Sequence, residues 1–258
     1  MDTQSTSSAS FWLAAIGAAA WLPQIFGWVS KKMARPAVRI LAASSIEVGF
    51  NNMGPTVNLP LVFVVGRKDA LITRMRMRVV YENGETHSLE WLWIHEVMSF
   101  IRGLPANMNL SKQDKAIVLV ASVATPLSKT IGFQDPTFQE TYRQRVAELT
   151  DQFKYLQSRE HGKEEFLASR ELAEAITWFR ESIFWVEGRY RLEVEATVEG
   201  LSAPVKSVFD VSLTRPEMDL LRQNGDKISA WVRELIDKGT AVPEPAWNWV
   251  NPTLSTRN

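Results

Sequence analysis

LITRMRMRVVY (71–81), ENGE (82–85) and THSLEWLWIH (86–95) follow one another without interruption. Both flanking runs alternate apolar and polar residues with the two-residue period of a strand. Asn83-Gly84 between them is the strongest short-range signal for a hairpin. Taking those two residues as the loop sets Tyr81 opposite Thr86, Arg78 opposite Leu89, Arg76 opposite Trp91 and Arg74 opposite Trp93. Opposed residues share a face of the sheet. One face then carries Arg74, Arg76, Arg78, Leu89, Trp91 and Trp93, and reads as basic and aromatic. The other carries Met75, Met77, Val79 and Leu92, and reads as core except for Glu90. A loop of odd length would move the Trp residues to the other face.

Strand periodicity continues on both sides of the hairpin. Val57, Leu59, Leu61, Phe63 and Val65 alternate after a turn at Asn51–Pro55, and Val38–Phe50 ends in the alternating IEVGF. At Asp135-Pro136 the period changes, with an N-cap followed by Pro in the first turn. Phe138, Tyr142, Val146, Leu149, Phe153 and Leu156 make one helical stripe, and Leu172, Ile176, Phe179 and Ile183 make a second. These predict an antiparallel pair of helices inserted at 135–184. Strands return at Arg189–Val198 and Val205–Leu213. Thr214-Arg215-Pro216-Glu217 is a capping box, opening a helix to Lys238 with Met218, Leu221, Ile228, Trp231, Leu235 and Ile236 facing inward. The tail 239–258 holds three prolines and is expected to be extended. Trp247 and Trp249, two apart, point the same way there and are placed to dock on the body or on a partner.

The expected fold class is therefore α+β: an antiparallel β-sandwich over 36–238, with the helical insertion and a C-terminal helix. Glu187-Gly188-Arg189-Tyr190-Arg191-Leu192 resembles the start of strand F in immunoglobulin-like domains. The resemblance implies an immunoglobulin-like sandwich in which the Tyr190 hydroxyl closes a corner and Leu192 stands where many members have Cys. It carries no activity.

Residues 1–10 form a polar tail. FWLAAIGAAAWLPQIFGWV (11–29) then runs 19 residues without a charge, about 28 Å of helix at about 1.5 Å per residue. That matches a hydrocarbon core of about 30 Å, so an N-terminal membrane helix is expected. Lys31, Lys32 and Arg35 follow, which places the remaining chain on the cytoplasmic side of a cell membrane as a single-pass protein. Pro23 and Gln24 count against a spanning helix and leave an interfacial or partner-buried helix as an alternative; with the Ala/Gly run Ala14–Ala20 they also suit close packing inside a membrane complex.

Composition narrows the function classes. The chain carries 29 Lys+Arg against 29 Asp+Glu, so nucleic acid is a disfavoured partner. No cysteine is present, which removes disulfides, thiolate metal sites and Cys nucleophiles. Nucleophile elbow, phosphate loop and dinucleotide fingerprint are all missing. His95-Glu96 begins like a zinc-protease helix, but Ser99 stands where the second His belongs. The expectation is a non-enzymatic interaction or scaffold protein without cofactor or metal, bound to lipid through residues 11–29 and to a protein partner. Its expected contact residues are Arg74, Arg76, Arg78, Trp91, Trp93, Trp247 and Trp249, since Trp and Arg dominate interface hot spots. Arg planes also stack on Trp rings within one protein. Two alternatives remain: a ligand-binding or carboxylate-based catalytic site between sandwich and helices, and a membrane-complex subunit assembled through the N-terminal helix.

Overall fold

The computed structural model describes residues 34–98, 110–238 and 242–256. Strands β1 (Ala37–Ala42), β2 (Glu47–Asn51), β3 (Gly54–Gly66), β4 (Ala70–Tyr81), β5 (Thr86–Met98), β6 (Leu110–Lys115), β7 (Leu119–Ala121) and β8 (Leu127–Gln134) come first. Helices α1 (Pro136–Gln157), α2 (Gly162–Leu167) and α3 (Arg170–Glu181) follow. Then come β9 (Gly188–Val198), β10 (Val205–Leu213), α4 (Arg215–Lys238), β11 (Trp249–Val250) and β12 (Leu254–Thr256).

The strands form one antiparallel sheet in the order β11-β2-β3-β8-β5-β4-β9-β10-β12, with β1, β6 and β7 branching from β3, β5 and β4. The sheet curls until its margins meet, as a half-barrel closed along one seam. Ser207 Oγ on β10 donates to the Ile40 carbonyl on β1 at 3.0 Å. Ile46 N–H donates to Pro252 O at 3.3 Å, and Leu254 N–H to Ser44 O at 2.8 Å. The alternating residues of the long strands point into the curl, where Leu59, Leu61, Phe63, Met77, Val79, Phe133, Leu192, Val194 and Phe209 are wholly buried. Burial of this inner face drives the fold.

The α+β class with an antiparallel sheet stands, and the half-barrel is compatible with a sandwich-like fold, its strands joined in one curled sheet. One expectation about fold class is corrected. The N-terminal membrane helix finds no counterpart: among the described residues no helix is long and apolar enough to cross a membrane. Residues 11–29, on which that expectation rested, lie outside the described residues.

Local signals hold. The Asp135 carboxylate accepts Thr137 N–H at 2.8 Å at the start of α1. Glu217 accepts the Thr214 N–H at 2.7 Å, closing the capping box of α4. The Tyr190 hydroxyl donates to Val186 O at 2.7 Å and accepts Val186 N–H at 2.6 Å, a corner of the kind the resemblance implied. Instead of two helices, the insertion holds three, with short α2 filling the break. The described helices gather at one end of the barrel, where Phe138 packs against Gly54 and α4 lies along β2 and β11.

Candidate functional site

The hairpin register differs from expectation by one residue. Tyr81 N–H donates to Glu85 O and Gly84 N–H to Tyr81 O, both at 2.9 Å, so the loop is the three residues Glu82–Gly84. A two-residue loop with Asn-Gly needs positive φ at both positions. Here only Gly84 has it, at 92°, while the Asn83 side chain accepts Glu85 N–H at 2.8 Å. Val80 therefore pairs with Thr86, Met77 with Leu89 and Arg76 with Glu90. Glu90, the exception on the expected core face, belongs with the arginines.

The expected arginine-tryptophan surface is thereby dissolved. Arg74 and Arg76 both bridge to Glu90, and Arg78 bridges to Glu193 on β9. Nearby Lys206 pairs with Glu195. The outer wall of the barrel is a ladder of compensated, solvent-exposed charges. Trp91 turns inward against the core opposite Phe133. A bulge at Leu92 returns Trp93 to the outer face, where its ring is buried on Gly132. The tail tryptophans dock on the body. Trp249 pairs with Gly49 on β2, and a Cβ at that glycine would lie 2.4 Å from the ring. Trp247 packs on the cluster of Phe50, Phe138, Phe179 and Ile228 and meets Trp231 edge-on at 6.5 Å. The structure thus brings the three arginines together and separates the four tryptophans.

A different surface carries unsatisfied apolar area. α1 and α4 each pack against α2 and α3 and leave a gap between themselves. Between them lies a groove of about 260 Å³. Its floor is Phe166, Leu172, Phe179 and Ile228, all buried. Tyr142, Val146, Leu149 and Phe153 form one wall, and Trp231, Val232, Leu235 and Ile236 the other. Six of these eight wall residues are half-buried stripe positions that were expected to face inward; Val232 lay outside the stripes, and Val146 stays 39% exposed. The sequence signal was present as more apolar residues on two helices than one interface can cover. Asn52 closes one end, donating to Glu244 at 2.9 Å. Burial first, and the Glu244 carboxylate second, raise the Tyr142 hydroxyl above its ordinary pKa, so it stays protonated and able to donate. Arg143 and Lys154 stand on the α1 rim, three residues before Val146 and four after Thr150 of the lining. Both are exposed, and neither joins an ion pair among the described residues.

Other hollows offer less. A broad polar depression of about 1100 Å³ crosses the outer ends of β9 and β10. Within it, Glu217 serves the helix cap and Tyr190 the corner. Between sheet and helices a cleft of about 240 Å³ holds His87, Asp135 and Glu181. Asp135 is committed to its cap, and His87 is stacked on Phe184 at 3.9 Å. Among the described residues no three His, Asp or Glu side chains converge as metal ligands. No family model matches the chain, and comparison with curated proteins and with solved structures finds no match.

Proposed function

We propose that this chain is a non-enzymatic interaction protein whose docking site is the groove between α1 and α4. The observation that carries the reading is a continuous apolar trough between two helices, left open by the protein's own packing. At about 260 Å³ it falls below the roughly 300–1,000 Å³ of small-molecule sites. Its length and open top suit a row of side chains laid into it, as when an amphipathic helix enters a groove. Arg143 and Lys154 on the rim select a partner helix with acidic residues flanking its apolar face. We place the protein at the cytoplasmic side of a cell membrane, in contact with lipid through residues 11–29. This rests on the uncharged stretch and the cations after it. The immunoglobulin-like resemblance rests on the Tyr190 corner and adds no activity.

Photo-crosslinking tests the site. Benzoylphenylalanine at Val146 of the full-length chain, in its native membranes, is expected to give one discrete polypeptide adduct. The paired change Arg143→Glu and Lys154→Glu, both on exposed positions, should diminish that adduct without loss of folding. Adducts identical to those from position 197 on the outer barrel wall, or indifferent to the charge reversal, would refute the assignment.

A further inference from the structure

The end of the barrel away from the helices carries a second, independent surface. There β7 pairs with the start of β4, Val120 opposite Leu71. Leu119 and Ala121 point into the core, so Val120 points out. Ile117, Val118, Val120 and Val123 are 77%, 39%, 63% and 46% exposed. Four aliphatic side chains within seven residues make an exposed patch of the kind that marks a contact surface. The β3–β4 turn lies beside it, with Arg67 at a φ of 70° and Lys68 at its tip. Asp69 in that turn is committed to Ser122 Oγ at 3.1 Å and Val123 N–H at 2.7 Å. Arg67 and Lys68, like Arg35, are exposed and make no ion pair among the described residues.

The chain reaches β1 at this same end. Ala34 and Arg35 line a hollow with Lys68, Asp69, Leu71 and Glu199. The residues before them hold Lys31, Lys32 and the uncharged 11–29 stretch. Exposed aliphatic side chains beside three exposed cations that form no ion pair among the described residues, at the point where an apolar segment joins the domain, complement an anionic lipid surface. There the aliphatics enter the acyl boundary and the cations meet headgroups. We propose that this end of the barrel, through Ile117, Val118, Val120 and Val123 with Arg35, Arg67 and Lys68, lies against an anionic membrane. The inference rests on the membrane placement above and adds that the folded domain itself touches lipid.

The absence of cysteine permits a direct test in the full-length chain. Single variants Val120→Cys and Tyr155→Cys, the latter on the exposed far side of α1, are labelled with an environment-sensitive fluorophore. They are mixed with phosphatidylcholine vesicles with and without phosphatidylglycerol. The label at 120 is expected to shift blue and be quenched by doxyl-labelled lipid on anionic vesicles. The label at 155 should do neither. Arg67→Ala with Lys68→Ala should reduce the quenching at 120, as should high salt. A chain that sediments with the vesicles while the label at 120 stays in water overturns the inference and leaves the membrane placement standing, with a protein contact as the patch's occupant. A chain that does not bind vesicles overturns both.

Discussion

Replacing Asn224 by Ala probes how the tail is held against the barrel. The side chain is wholly buried on α4. Its Nδ2 donates to Phe50 O and Asn248 O, each at 2.8 Å. Its Oδ1 accepts Asn248 N–H at 2.8 Å. One amide therefore ties α4 to the end of β2 and to the tail. Truncation to Ala removes three hydrogen bonds and leaves three backbone groups short of a partner. At about 1 kcal/mol per bond the loss is about 3 kcal/mol. For a domain of this size that corresponds to a Tm lower by about 6–12 °C. Urea unfolding followed by tryptophan fluorescence measures it, with Trp247 and Trp249 reporting on the tail. Asn224→Asp keeps the acceptor but sets a carboxylate against two carbonyls, and should be no better tolerated than Ala at neutral pH. A loss under about 1 kcal/mol for Asn224→Ala would refute the reasoning and transfer the tail's attachment to the Trp249–Gly49 contact.

Three further outcomes follow from the geometry. Burial raises the Tyr190 hydroxyl to about 12. The folded protein thus holds this proton more tightly than the unfolded chain, whose Tyr titrates near 10. Its contribution is complete below about pH 10 and is lost as pH rises toward 12; Tyr190→Phe, with both Val186 bonds gone, should be less stable at pH 8 and lose less between those values. Gly84→Ala forces a side chain into a left-handed conformation at φ 92° and should cost about 1–2 kcal/mol by thermal unfolding. Arg76→Ala removes an exposed pair 3.3 Å from Glu90 and should change stability by less than about 1 kcal/mol, while leaving the crosslink from position 146 intact.

Local chemistry was legible in the sequence. Asp135-Pro136, the capping box at Thr214 and the alternation of Arg189–Val198 each act within a few residues, and each stands where expected. The hairpin was legible as a hairpin but not in register, because Asn-Gly serves both two-residue and three-residue loops. Glu90 alone, misplaced on an apolar face, marked the difference. The bulge that separates Trp91 from Trp93 comes from pairing with β8, about forty residues on, and leaves no local trace. Strands of two and three residues such as β11 and β12 are too short for periodicity to register. The groove was half legible: its stripe residues were found, but whether a stripe is covered depends on how far apart α1 and α4 are held.

The seam of the barrel also fixes an order of assembly. Trp249 pairs with Gly49 across 200 positions of sequence. Joining ends that far apart in an unfolded chain costs on the order of 5 kcal/mol in loop entropy, against a three-residue loop for the β4–β5 hairpin. Hairpins such as β4–β5 and β9–β10 gain their contacts early and the seam gains its own late, a pattern that slows folding. Until the tail arrives, β2 and the C-terminal half of β10 present bare edges to any neighbouring chain. A strand only three residues long, β12, together with the clasp at Asn224, stands between the finished barrel and pairing with another copy of itself.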